Sequence, residues 1–260
     1  MWFEMFQGLV LGAVQGLTEF FPVSSSGHLI LVPVFLHWAD QGLAFDAVLN
    51  LGTVTALLWF FRNDIIDIFK RRSWEFVLKV IVATIPAALL GFLLKDFIDT
   101  YSRQAWLVAV DTAFWALILL WADRWGGKQK VTLKDFEKVS WKQAIVIGLA
   151  QPIALAPGTS RSGITMSAGL FSGLSREAAA KFSFFLSIPI TGAAGLLGLV
   201  KVAKQGAGAD GTLALFIGFI SALCFGIFAI RFLISYVAKR HFDGFVAYRL
   251  ALALVVFLVA

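Results

Sequence analysis

The sequence predicts an all-α polytopic membrane protein, one domain over residues 1–260. It reads as an inverted-topology repeat of about six transmembrane helices plus two re-entrant helical hairpins. Three observations predict this. First, 59% of the residues are apolar and 15% charged, where soluble domains carry about a quarter charged residues; mean hydropathy is +0.84. Second, the apolar residues fall in blocks that reach or approach the roughly 20 residues a helix needs to cross a bilayer. Third, two of those blocks are interrupted by Pro, Ser and Gly in related patterns. The net charge of +6 is explained by basic cytoplasmic loops, so no nucleic-acid partner is expected. Cys224, the single cysteine, has no intramolecular disulfide partner and reads as a small core residue. The first apolar run lacks a preceding basic segment and contains Glu4 and Glu19, which argues against a cleavable signal peptide.

In chain order, residues 2–21 and 29–38 are apolar but separated by Pro22, three serines and Gly27, with Pro33 beyond. Neither half is a comfortable span, and irregular backbone at membrane depth must be buried in protein or line a wet cavity. A hairpin that enters and leaves on one side fits both facts. Spans follow at about 43–61, 74–94 and 104–122. A polar linker, 124–142, carries Arg124, Lys128, Lys130, Lys134, Lys138 and Lys142 and divides the chain into halves of approximately 1–123 and 143–260. The segment 143–174 is again broken, at Pro152, Pro157, Gly158 and Thr159-Ser160-Arg161-Ser162-Gly163. Spans at about 177–200, 213–236 and 245–260 complete the chain, with 201–211 a Gly- and Ala-rich connector.

The two broken segments align at an offset of 136, which places Gly12 on Gly148, Gln15 on Gln151, and Ser24, Ser26 and Gly27 on Ser160, Ser162 and Gly163. Paired interrupted segments are the signature of repeats whose broken helices meet at a central site. Topology gives an independent check. If each hairpin returns to its own side, the loops at 62–72, 124–142, 175–176 and 239–240 share a face. That face collects Arg62, Lys70, Arg71, Arg72, the six linker cations, Arg176, Lys239 and Arg240; the other holds Lys95, Arg103, Lys201 and Lys204. The basic-rich face is expected to be cytoplasmic and both termini outside.

Chemistry concentrates at the breaks. A carboxylate such as Glu19 within so apolar a helix costs about 3 kcal/mol even on lenient insertion scales, which favours a functional role. As a hard oxygen donor it suits Mg²⁺ or Ca²⁺, and it could equally act as general acid or base. Gln15, one turn earlier on the same face, could add its carbonyl to a metal site. Ser24, Ser25, Ser26 and His28 offer a nucleophile and a proton-transfer group. In the second break, Arg161 between serines and glycines reads as an anion clamp, because guanidinium presents a planar fork to phosphate oxygens. Ser160, Ser162 and Thr165 can complete the cradle. A structural ion pair between Arg161 and Glu19 is the plainer alternative. His37 and His241 lack such company and read as interface residues. A buried anion clamp, carboxylate, hydroxyl and imidazole point to a phosphate-bearing substrate with a lipid tail, handled by a hydrolase or by a carrier.

At these positions the chain resembles the undecaprenyl-diphosphatase family, the bacitracin-resistance proteins. The resemblance rests on Gln15-Gly-Leu-Thr-Glu19-Phe-Phe-Pro22-Val-Ser24-Ser25-Ser26-Gly27-His28 and on Pro157-Gly158-Thr159-Ser160-Arg161-Ser162-Gly163-Ile164-Thr165, and in length and element order it covers nearly the whole chain. It implies a membrane hydrolase that removes the terminal phosphate of undecaprenyl diphosphate, recycling a carrier lipid of peptidoglycan synthesis. It implies further a divalent cation, Mg or Ca, and a location in the bacterial inner membrane with the site toward the periplasm. Homodimerisation is left open. By the same resemblance, Glu19 is the catalytic or metal-associated carboxylate and Ser25 the nucleophile or the hydroxyl that positions it. His28 takes the proton-transfer role or competes as nucleophile, and Arg161 with Ser160, Ser162 and Thr165 holds the diphosphate. This chain carries the amide variant at Gln15, which could bind metal but not act as a base. Ser26-Gly27-His28 also matches the central motif of type-2 phosphatidic-acid phosphatases. Those need a Lys-x6-Arg-Pro run upstream and a Ser-Arg-x5-His-x3-Asp run downstream; after Ser160-Arg161 the histidine position is Ser167, so the look-alike is rejected. A polyprenyl-phosphate flippase remains the rival reading.

Overall fold

The computed structural model describes residues 2–101, 104–126, 137–205 and 208–259, and among these every regular element is helical. Linker cations Lys128, Lys130 and Lys134, and Arg103, lie outside the described residues. The first broken segment forms α1 (Trp2–Phe20) and α2 (Ser25–Leu36). Helix α1 stops two residues before Pro22, whose ring disfavours helical backbone in the residue ahead of it. Ser24 then turns the chain at φ 72 and caps α2, its Oγ accepting from Gly27 N. Twelve residues at 1.5 Å each make α2 about 18 Å long, too short for a core about 30 Å thick. The second segment repeats the device with α7 (Trp141–Ala150), a 3₁₀ turn (Gln151–Leu155) and α8 (Arg161–Phe171). There Ser160 turns the chain at φ 73 and caps α8 through Gly163 N.

Between and after the hairpins run α3 (Leu43–Phe60), α4 (Arg62–Lys70), α5 (Trp74–Tyr101), α6 (Ala105–Trp125), α9 (Arg176–Gln205), α10 (Gly208–Val237) and α11 (Asp243–Val259). Each predicted span has its helix. Four of the described helices are long and apolar enough to cross a membrane, and α3 with α4, bent by 62° at their junction, makes a fifth. At 17 residues, α11 is shorter than these. The offset of 136 carries through to the spans: α3 shifted by it falls within α9, α5 lands on 210–237 in α10, and the start of α6 lands on 241, two residues before α11. Packing follows the same exchange. Helices α3 and α9 pack together, as do α6 and α11, and the α1–α10 and α10–α3 contacts have counterparts in α7–α5 and α9–α5.

The ends grouped on one face by the charge pattern do meet. Asp123, at the end of α6, is fully buried; it pairs with Arg176 at the start of α9 and with His241 Nδ1 at 3.0 Å. It also accepts from Phe242 N at 3.0 Å. Lys181 of α9 reaches Asp64 of α4 at 2.9 Å. Cys224 departs from expectation, standing exposed on the outer side of α10 rather than in the core; in a membrane the outer side of a bundle meets lipid, so an apolar run does not imply burial in protein.

Helix α1 lies against α10 almost backbone to backbone. A Cβ on Gly8 would stand 2.3 Å from Ala214 O, on Gly12 2.2 Å from Gly218 O, and on Gly16 2.6 Å from Ala222 O. Glycines four apart let membrane helices approach this closely. Gly12→Ala is therefore expected to destabilise the protein by about 3 kcal/mol, since backbone cannot move aside as a side chain does. Gly192→Ala, where the nearest atom would be Val54 Cγ1 at 3.8 Å, should be close to neutral in the same thermal melt.

Candidate active site

Both breaks open onto one cavity of about 520 Å³. It is lined by Gln15, Glu19, Ser25, Asn50, Ser160 and Arg161, by Ala44 and Ala47 near the start of α3, and by the exposed Leu197 and Lys201 near the end of α9. The centre is a chain of three side chains from three elements. Ser25, the first residue of α2, donates its Oγ–H to Glu19 Oε2 at 2.6 Å. Glu19 Oε1 accepts from Arg161 Nη2 at 2.6 Å. Arg161, the first residue of α8, is held from behind by α9: Nη2 also donates to Ser187 Oγ at 2.6 Å and Nη1 to Ser183 O at 3.0 Å. The ion pair weighed as an alternative is thus present, at the cavity itself, with Glu19 9% and Arg161 15% exposed. A pair so placed can exchange its carboxylate for an incoming anion.

Gln15 directs Nε2 to Glu19 Oε2 at 3.1 Å and to Asn50 Oδ1 at 2.5 Å. Two acceptor oxygens therefore converge on one donor nitrogen. Turning the amide by half a turn would set Oε1 against both oxygens, an arrangement that a cation among them would stabilise. The donor set fits a hard divalent ion shared with substrate oxygens, as is usual for Mg²⁺, better than a cage made by protein alone. Among the described residues no group of three His, Cys, Asp or Glu could hold a metal.

The remaining predicted residues serve the scaffold more than the cavity. Ser24 Oγ accepts from Gly27 N at 3.3 Å and from Gly158 N of the other hairpin at 3.1 Å. Ser162 Oγ donates across to Phe21 O at 2.9 Å. Thr165 is fully buried and bonds Arg161 O and Ser183 Oγ. A cradle made of Ser162 and Thr165 is accordingly not what the structure contains: their hydroxyls satisfy backbone left unpaired by the break, as membrane depth requires. Ser26 is exposed and lines the cavity beside Ser25. His28 is placed differently from expectation. Nδ1 lies 2.7 Å from Ser24 O and Nε2 2.6 Å from Tyr248 Oη. A carbonyl only accepts, so Nδ1 carries the proton and Nε2 accepts from the tyrosine. Both ring nitrogens are engaged away from Ser25. Tyr248→Phe would strand Nε2 in a buried site and is expected to lower turnover about fivefold, read as kcat, in keeping with the loss of a single buried hydrogen bond.

Asn50, Tyr248, Ser183, Ser187 and the buried Arg249 were not found from the sequence. The signal available for Asn50 and Arg249 was polarity inside an apolar span.

Fold and site together define an integral membrane protein that brings hydroxyl, carboxylate and guanidinium to a shared cavity from two broken helical hairpins, equipment for a phosphorylated substrate. The chain belongs to the bacitracin resistance protein BacA family, whose profile matches residues 8–255. It is 41% identical over 270 residues to an undecaprenyl-diphosphatase of Idiomarina loihiensis, covering 98% of each chain. Identity is 44% over 269 residues to one of Rubrobacter xylanophilus, with 97% of each covered. It is 42% over 259 residues to one of Thermodesulfovibrio yellowstonii, covering 98% of this chain and 97% of the relative.

Proposed function

We propose that the protein hydrolyses undecaprenyl diphosphate to undecaprenyl phosphate and inorganic phosphate. The observation that carries this is the Ser25 Oγ to Glu19 Oε2 hydrogen bond of 2.6 Å, with Arg161 on the other carboxylate oxygen: nucleophile, base and anion clamp in sequence. The diphosphate takes the guanidinium, releasing Glu19 from its ion pair. Ser25 Oγ attacks the terminal phosphorus in line, its proton passes to Glu19, and the P–O bond to the lipid monophosphate breaks. Water then cleaves the phosphoserine, giving inorganic phosphate and restoring Ser25. Arg161 stabilises the charge on the transferred phosphoryl oxygens throughout. Glu19, Asn50 and Gln15 would hold a divalent cation, Mg or Ca, which supplies further charge neutralisation. The first isoprene units would lie against the apolar part of the cavity lining, Leu29, Ala44, Ala47 and Leu197.

The cavity lining includes the start of α3 and the end of α9, the ends opposite the basic loops at 62–72 and 175–176, which supports a site facing the periplasm in a bacterial inner membrane. Consuming the diphosphate removes the form that bacitracin sequesters, so overproduction should raise bacitracin tolerance. The direct test is phosphate release from a polyprenyl diphosphate by purified protein. Release with Mg²⁺ or Ca²⁺, abolished by EDTA and restored by adding the ion back, is the expected result. Folded protein that binds the diphosphate without releasing phosphate would reject hydrolysis in favour of a carrier.

A further inference from the structure

Arg249 is 0% exposed in the middle of α11, and no step of the proposed reaction uses it. Its guanidinium nitrogens all donate to main-chain carbonyls: Nε to Thr112 O at 3.1 Å, Nη1 to Pro22 O at 3.1 Å, and Nη2 to Gly158 O at 2.8 Å and Thr159 O at 3.0 Å. Pro22 lies in the break of the first hairpin, Gly158 and Thr159 in the break of the second, and Thr112 in α6. One planar group thus bridges both turns and ties them to a spanning helix. Asp111, next to Thr112 in α6, is also turned to the second break, accepting from Thr159 Oγ1 at 2.6 Å.

We infer that Arg249 is a positioning residue that sets the distance between the two hairpin tips, and with it the register of Ser25 and Glu19 against Arg161. This rests on the reaction proposed above. Two of the three catalytic residues are the first ones after the turns: Ser25 follows Ser24, and Arg161 follows Ser160. Both capping serines sit at positive φ, 72 and 73, a conformation that is strained in a residue other than glycine and persists where surroundings over-determine it. The guanidinium is that surrounding. It binds the carbonyls of the residues directly before Ser160 and two before Ser24, fixing the peptide planes that lead into each turn. The direct links between hairpins, Gly158 N to Ser24 Oγ and Ser162 Oγ to Phe21 O, lie alongside. Close packing leaves no slack: a Cβ on Gly163 would stand 3.2 Å from Arg249 Nη1. Guanidinium suits this task because its rigid fork reaches several carbonyls at once, whereas an ammonium is a single point.

The test uses the full-length protein in detergent, with Arg249→Lys and Arg249→Gln. It measures phosphate release from farnesyl diphosphate, and amide hydrogen exchange of the same samples. In Arg249→Lys, kcat should fall at least about thirtyfold while KM stays within about threefold. Exchange at residues 24–28 and 158–163 should accelerate together, about tenfold, while amides of α3, which Arg249 does not touch, stay at the wild-type rate. Arg249→Gln should show the same pattern more strongly. Wild-type kcat in either folded variant overturns the inference. So does faster exchange at one hairpin alone, or acceleration throughout the protein. Failure of both variants to fold also overturns it, since the arginine would then be a general determinant of folding. If wild type releases no phosphate, the hydrolase reading fails by itself, and the exchange measurement still decides whether Arg249 couples the hairpins.

Discussion

Arg161→Lys is expected to reduce kcat/KM for phosphate release by about a thousandfold although the charge is kept, the scale associated with losing a preorganised oxyanion-stabilising donor. The reason is geometric. The guanidinium is anchored on α9 through Ser183 O and Ser187 Oγ and still presents Nη2 to Glu19 Oε1 at 2.6 Å. A planar fork can be held from behind and offer a face to a phosphate in front. An ammonium reaching back to the serines withdraws from the cavity; reaching forward, it loses its anchor. Arg161→Ala is a poorer experiment. It strands Glu19, 9% exposed, without countercharge, and breaking a buried pair in that way costs about 3–5 kcal/mol. The lysine variant separates catalysis from folding, with a thermal melt close to wild type as the control. Retention of activity within about tenfold would show that charge alone suffices and that the clamp geometry assigned here is mistaken.

How much of this was legible in the sequence follows from what each feature is made of. The hairpins were legible because Pro22 and Pro157, with serines and glycines around them, break apolar runs at local, sequence-adjacent positions. The helices of the predicted spans were legible for the same reason, four or five of them long and apolar enough to cross a membrane, and the offset of 136 carried over to the helices. Glu19, Ser25 and Arg161 stood out as polar groups beside those breaks, and they do meet at the cavity. What the sequence does not carry is which partner a polar residue in a span finds, because that depends on which helix packs where. Tyr248 reaches His28 across 220 positions of sequence and Arg249 reaches Pro22 across 227. Asn50 joins Gln15 only because α3 lies beside α1. His28 is the converse case. Its closeness in sequence to Ser25 suggested partnership, yet residues three apart on one helix can serve different neighbours, and its imidazole points to α11.

A carrier would exploit an inverted repeat, the helix pairs of the two halves do correspond in the packing, and an anion clamp would serve transport as well as hydrolysis. What a carrier has no use for is a hydroxyl aligned on a carboxylate. Everything therefore turns on Ser25, and Ser25→Ala is expected to lower kcat by about a thousandfold or more with substrate binding nearly unchanged. The alanine leaves Glu19 its bonds to Arg161 and Gln15, so the clamp stays assembled and diphosphate should bind as before. His28→Ala makes the comparison informative. Because Nδ1 and Nε2 are committed to Ser24 O and Tyr248 Oη, its loss should loosen the first turn and cost about tenfold, well short of the serine. The reverse ranking, with His28→Ala inactive and Ser25→Ala mild, would transfer the nucleophile to the imidazole and require it to rotate away from α11. Phosphate release retained in both would point to water activated by Glu19. Trapping separates these further: acid quenching during turnover of a diphosphate labelled in its terminal phosphate should leave label on Ser25 in wild type and none in Ser25→Ala, whereas direct attack by water leaves the wild-type protein unlabelled.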